Sequence, residues 1–362
     1  MLNQIPMLAR TPIPAVPAIP AGPVLQVPDT IDRTGAKDVT VHLAVWLRTV
    51  PDGATVVFEP TTRYRVDGTL QLLGRQLTID GKGATVFSVS RTVGDSMFEP
   101  VEGSLSIRNL TLDGGAGQPG LRQPTWGPES FEMGIASRGA RLTVDHVTIR
   151  NFNGDGIYLG ANYDDHQYGT NGTFSHDVWI HDSTITGVGR DAVSVTQGER
   201  VLGERLVISN VALHAWNNEP NLVAKETPAP PNDERIRDVT FRDSDVYAPI
   251  GGYVFASNGW GNASRITVEG IRVHGKSLRI TIKADATHRR QDVRVTNCSS
   301  DTPISGPTMW FSHVDGLLVV KNVQPLLSGT GLTVTDSTSV TLTLSKVPGR
   351  TGSTISGTGP RP

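Results

Sequence analysis

LTVDHVTIRNFNGDGIYLG (Leu142–Gly160) is followed by VWIHDSTITGVGRDAVSVTQG (Val178–Gly198) and then by ERLVISNVALHAWNNEPNLVAK (Glu204–Lys225). Each stretch holds a short run of alternating apolar and polar residues, a small polar turn, and a second alternating run. That is the pattern of several short strands. It returns in LSIRNLTLDG (Leu105–Gly114), IRDVTFRDSDVYAPIGGYVFASN (Ile236–Asn258), RITVEGIRVHGKSLRITIKAD (Arg265–Asp285) and DVRVTNCSSDTPISGPTMWFSH (Asp292–His313), with a period of about 23 to 37 residues. Such periods mark solenoids or propellers. A propeller blade needs four antiparallel strands joined by hairpin turns, and these repeats are too short and lack the turn residues. Each repeat therefore reads as one coil of two or three strands, stacked on the next at about 4.8 Å. Asn109, Asn151 and Asn210 recur just after or within a strand pair, where asparagine can take a left-handed turn conformation and hydrogen-bond locally. The expectation is an all-β chain, a right-handed parallel β-helix of about ten coils.

Working outward, VTVHLAVWLRTV (Val39–Val50) has apolar residues at helical spacing and ends before Pro51-Asp52-Gly53, which predicts a short N-terminal capping helix. Residues 31–346 then form the β-helix with its cap, and residues 347–362 a flexible Gly/Ser/Thr/Pro tail. Residues 1–30 are interrupted by proline too often for a helix or a signal peptide, and read as an extended, polyproline-like arm. No run approaches the roughly 20 apolar residues of a membrane span. The formal net charge is −2 and gives no electrostatic case for nucleic acid or a membrane surface as partner. A single cysteine, Cys298, excludes an intrachain disulfide framework and a multi-thiolate metal site.

DRTGAKDVTVHLAVWLRTVPDGATVVFEPTTRYRVDGTLQLLGRQLTIDGKGATV (Asp32–Val86) resembles the opening of the pectate-lyase-like superfamily of right-handed parallel β-helices. NGDGIYLG, GRDAVSVTQGERV and NNEPN are similar to the middle of that superfamily, especially its phage tailspike and polysaccharide-depolymerase-like members. The resemblance runs from Asp32 to about Ser312. It implies the fold and a polysaccharide as the substrate class, while the superfamily's chemistry varies from member to member. RITIK is similar to the Arg-Ile-Lys element of polygalacturonases, but Thr281 and Ile282 separate Ile280 from Lys283. The Asn-Thr-Asp, Asp-Asp and Gly-His-Gly elements of those enzymes are absent as such, and Asp155 in NGDG is the nearest relic.

In a parallel solenoid, outward side chains of successive coils form columns. Taking Ile157 with Leu159, Val193 with Val195, Trp216 with Asn218, Tyr253 with Phe255, and Ile280 with Ile282 as inward pairs turns Tyr158, Ser194, Asn217, Glu219, Thr281 and Lys283 outward. Asp155 and Asp191 precede their strands at turns, where aspartate serves equally as a turn former. Asp155, Asp191, Glu219 and Lys283 are the candidate catalytic residues. Hydrolysis needs two carboxyl groups flanking the bond, and elimination needs a base and a group that neutralises a uronate. Tyr158, Asn217 and Arg279 are candidate substrate contacts from the same wall. Tyr163, His166 and Trp260 are candidates from the loops and turns around it, where aromatic rings can stack on sugars. Long insertions at Ala161–Asp177, Lys225–Arg235 and Ala116–Glu132 would build the sides of such a site. Asp164, Asp165 and His166 offer no complete ligand set, so no metal or cofactor is expected; Ca²⁺ would enter only with lyase chemistry.

The reading is a polysaccharide-binding and polysaccharide-cleaving β-helix, a glycoside hydrolase or lyase of a phage tail. It would be found on the virion or outside the cell, as a homotrimer whose arm meets other virion proteins. The alternatives are a free secreted lyase, hydrolase or epimerase, and a non-catalytic structural or adhesin-like solenoid.

Overall fold

The computed structural model describes residues 22–89, 96–116, 132–161, 173–220, 234–247, 253–276, 278–302, 304–305, 309–323, 327–328, 332–337, 340–345 and 354–355. Sheet A has 12 strands, from Val24–Gln26 to Val340–Ser345. Sheet B has nine, from Arg63–Arg65 to Ser299–Ser300, and sheet C has 11, from Leu70–Leu73 to Thr354–Ile355. The chain visits A, B and C in turn and returns to A one level on, with parallel pairing between coils. This is the expected right-handed parallel β-helix, with the hand that parallel crossovers take.

The interior is filled by stacked apolar columns. Leu142, Val178, Val201, Val239 and Ile266 lie level along sheet A, Ile149, Ile185, Ile208 and Val246 along sheet B, and Ile135, Ile157 and Val193 along sheet C, all fully or nearly fully buried. Each such side chain contributes about 1.5–3 kcal/mol relative to exposure. The expected capping helix spans Thr40–Thr49; it buries Leu43 and Leu47, and the Asp38 carboxylate accepts the Thr40 N–H at 2.9 Å. Val24–Gln26, placed by sequence in the arm, is instead a strand that pairs with Thr55–Val57 and extends sheet A. At the other end Thr354–Ile355, within the expected tail, pairs with the strand Leu332–Thr335.

Asn109, Asn151 and Asn210 adopt left-handed backbone, with φ of 52°, 61° and 51°. The turn from sheet A to sheet B uses the same conformation at His146, Asp182, Arg205 and Asp243, which the asparagine pattern did not foretell. A left-handed residue other than glycine costs about 1–2 kcal/mol, and here hydrogen bonds to neighbouring coils help to offset it. Arg205 makes two hydrogen bonds to Asp182, both 2.8 Å.

Trp216 shows how tightly the interior is matched. It enters from sheet C, is fully buried, and stacks on Phe241 of sheet A at 5.0 Å between ring centroids. Gly203, level with Phe241, makes room for it: a Cβ there would lie 2.2 Å from Trp216 Cζ3. Gly203→Ala is expected to lower stability by about 1–3 kcal/mol through overpacking, read as a drop in the denaturation midpoint. An unchanged midpoint would show that the indole shifts freely.

Candidate active site on sheet C

The register of sheet C aligns Ile157, Val193, Trp216, Phe255, Ile280 and Met309 as one inward column. Two residues upstream, at the mouth of each strand, the same register aligns Asp155, Asp191, His214 and Tyr253. Asp155 and Asp191 are thus on adjacent coils, as the sequence suggested, but the next member of their column is a histidine. The signal was present in the sequence: Asp-Gly-Ile, Asp-Ala-Val, His-Ala-Trp and Tyr-Val-Phe occupy equivalent places. Tyr253, assigned inward by sequence, is 37% exposed and stands 5.6 Å from His214 between ring centroids. The cause is a two-residue offset, because Phe255 and not Tyr253 is level with Trp216. Val254, next in the same strand, belongs to the buried core.

Asp155 and Asp191 are completely buried. The Asp191 backbone N–H donates to Asp155 Oδ1 at 3.0 Å, and Arg190 Nε lies 3.8 Å from the same oxygen. Asp191 Oδ1 accepts the His214 backbone N–H at 3.1 Å and lies 2.7 Å from His214 Nδ1, while its Oδ2 accepts the Asn217 amide at 3.0 Å. Arg190, also buried, reaches Glu219 Oε2 at 3.7 Å through its other end. Five ionisable side chains therefore share one small volume. Burial raises the Asp155 carboxyl to about 7 against the pull of Arg190, and Asp191 and Glu219 push the same way as burial. For Asp191 burial also opposes ionisation, but His214, Arg190 and the Asn217 amide outweigh it and hold the carboxyl below its ordinary value. His214 is disfavoured as a cation by burial, yet Asp191 and Glu219 bring it above its ordinary value. Strongly perturbed groups in contact mark functional sites more often than chance.

The groups nearest solvent are not the two aspartates. The Glu219 side chain is 20% exposed and that of His214 is 14% exposed. His214 opens the strand His214–Asn218 and Glu219 follows it, so they stand at opposite ends of one strand, and Arg190 links Glu219 to Asp155. Tyr158 is buried and hydrogen-bonds Thr196 at 2.8 Å. Between the ends, Ser194 Oγ and Asn217 Oδ1 are buried with no hydrogen-bond partner among the described residues.

Asp155, Asp191, Asn217 and Glu219 thus come together, with Tyr158 beside them. Lys283 stands two coils away in the column of Glu219, and Arg279 is exposed at the start of its strand. Trp260 is exposed in the turn after the strand Tyr253–Ser257; its neighbour Gly261 is packed against Pro220, which follows Glu219. Tyr163 and His166 lie outside the described residues, as do the greater parts of the three insertions. Arg190 and His214 were missed by sequence. Away from sheet C, Asp145, His181 and Asp182 form a group that could hold a metal ion, but Arg205 already occupies both oxygens of Asp182.

No protein-family model matches the chain, and no curated protein matches it in sequence. Its fold is similar to that of a family 28 exopolygalacturonase from Yersinia enterocolitica, at 12% identity and a TM-score of 0.58 over 92% of this chain and 77% of that one. It is similar to the A-module of a mannuronan C-5 epimerase from Azotobacter vinelandii, at 16% identity and 0.54 over 92% and 97%. It is also similar to a tailspike protein from Acinetobacter baumannii bacteriophage Fri1, a capsular polysaccharide depolymerase, at 13% identity and 0.50 over 93% and 63%. At such identities the similarity shows the fold alone.

The charge state of Asp155 can be tested through stability. Between pH 3.8 and about 7 the folded chain keeps a proton that the unfolded chain has lost. Stability therefore falls as pH rises through that window, by up to about 1.4 kcal/mol per pH unit from this group. Asp155→Asn is expected to flatten the slope of unfolding free energy between about pH 4 and pH 6. An unaltered slope would mean that Asp155 is ionised throughout.

Proposed function

We propose that the chain binds a polysaccharide along sheet C and hydrolyses it between His214 and Glu219. The observation that carries this reading is the Asp191–His214 pair, a buried carboxylate holding a partly exposed imidazole, at one end of a strand whose other end leads into a partly exposed glutamate held by Arg190. Glycoside hydrolysis needs an acid for the leaving oxygen and a base for the attacking water; two carboxyl groups ordinarily supply them, and here the His214 imidazole stands in for one. His214 Nδ1 is engaged by Asp191, which leaves Nε2 to protonate the glycosidic oxygen as its bond to the anomeric carbon breaks. Glu219 takes the proton of the water that attacks that carbon. Asp191 acts through His214 and Asp155 through Arg190, so both are positioning residues. Ser194 and Asn217 offer hydroxyl and amide groups to the sugar on the floor between them.

The similarity in fold to a tailspike depolymerase and to an exopolygalacturonase supports a glycan as the ligand. The same reading puts the protein outside the cell or on a phage virion, as a homotrimer attached to other virion proteins. Light scattering giving three times the chain mass would support that assembly, and a monomer would remove it.

Cleavage is tested by incubating the purified chain with bacterial surface polysaccharides while following new reducing ends and the absorbance of unsaturated uronates. Reducing ends without unsaturated product are expected, falling about 10²- to 10⁴-fold in Glu219→Gln and in His214→Gln. Asp191→Asn is expected to lower kcat with KM little changed. Unsaturated product would replace hydrolysis by elimination. Binding without any cleavage would replace the enzyme by a receptor-binding or adhesin-like solenoid.

A further inference from the structure

Two to three coils beyond Glu219 along the solenoid axis, about 10 to 14 Å away at the coil spacing, an aromatic ring on the outward face of sheet C carries an ammonium group. Glu219, Asn258 and Lys283 follow one another in one outward column, and Trp310 is level with Thr281 in the next. Lys283 Nζ lies 3.2 Å from the centroid of the Trp310 ring. Trp310 is 44% exposed although its strand neighbours Met309 and Phe311 are fully buried, so the indole is not needed for the core. Thr281 Oγ1, on the same floor, is buried with no hydrogen-bond partner among the described residues.

An exposed indole on a flat sheet is a platform for the apolar face of a sugar ring. Here the platform is occupied. An ammonium over the ring centre closes that face to a neutral sugar and is held there by the ring quadrupole. A sugar carboxylate offers the lysine a stronger, charge-assisted partner, and can draw it toward the ring edge so that the indole face opens. We propose that Lys283 and Trp310 form a charge-gated sugar subsite that admits uronic-acid residues of an acidic polysaccharide and excludes neutral ones. This rests on the reading of sheet C as the glycan-binding floor and names the substrate class of that floor. A lysine that merely covers apolar surface would show no preference between acidic and neutral sugars.

The test uses the full chain, with its other five tryptophans as internal controls. The Trp310 indole N–H resonance is assigned by its loss in Trp310→Phe. It is then followed while D-galacturonate, D-glucuronate, D-galactose and D-glucose are added separately. Only the two uronates are expected to shift it in the native chain. In Lys283→Met the neutral sugars are expected to gain about 2- to 5-fold in affinity and the uronates to lose about tenfold. Equal response to neutral and acidic sugars in the native chain, an unchanged preference in Lys283→Met, or no shift by any sugar in either chain would each overturn the subsite. Glu219→Gln is expected to keep the Trp310 response. If that response is intact while no glycan is cleaved by the native chain, the hydrolytic reading fails and the subsite stands.

Discussion

Parallel hydrogen bonding between coils holds equivalent residues of successive repeats at the same level, and the rest of the structure depends on that register. It stacks the apolar columns of the interior. It brings Asp155 of one coil against Asp191 of the next, although 36 residues separate them. It also sets opposite charges side by side on sheet A, where Arg200 pairs with Asp177 and Arg265 with Asp238 across adjacent coils. A slip of one residue would turn the apolar set outward and separate these pairs together. Each strand is therefore specified by its neighbours on both sides.

Two kinds of buried charge result. Arg290 is a fully buried guanidinium whose hydrogen bonds go to the Ser257 hydroxyl and to the carbonyls of Gly259, Gly261 and Arg289. Burial lowers it to about 9, and it clamps the backbone turn that carries Trp260. The cluster at Asp155 and Asp191 differs, because its members act on one another's charge. Removing charged groups from water costs several kcal/mol apiece unless they are paired, and around Arg190 the pairing is uneven: both oxygens of Asp191 have partners. Asp155 Oδ2 is left without a partner among the described residues. A solenoid that fills most of its interior with valine, leucine and isoleucine has no structural need for such a cluster, and this makes it the strongest candidate for chemistry.

The site also gains from lying on a sheet. Strands hydrogen-bonded on both sides move little, so His214 and Glu219 are held in a fixed relation by the strand that joins them. The same rigidity continues along the axis to Lys283 and Trp310, which makes the outward face of sheet C one continuous floor. A linear polymer laid along the axis meets successive coils, whereas one laid across would meet only three or four residues of a single strand.

The sequence by itself determined the repeat, the capping helix, the alternation of inward and outward residues, and the presence of Asp155, Asp191, Asn217 and Glu219 on one wall. These follow from short-range patterns, since side chains alternate with a period of two and left-handed turns favour asparagine. The tertiary structure decided which residues of different coils are level. Insertions of unequal length separate the coils, so the two-residue offset of Tyr253 could not be read from its own strand. It also decided that the two aspartates are buried while His214 and Glu219 keep some exposure, and that Arg190 lies between Asp155 and Glu219. Burial and charge are collective: the environment of each group is set by residues some 20 to 40 positions away, and only stacking in space brings those residues together.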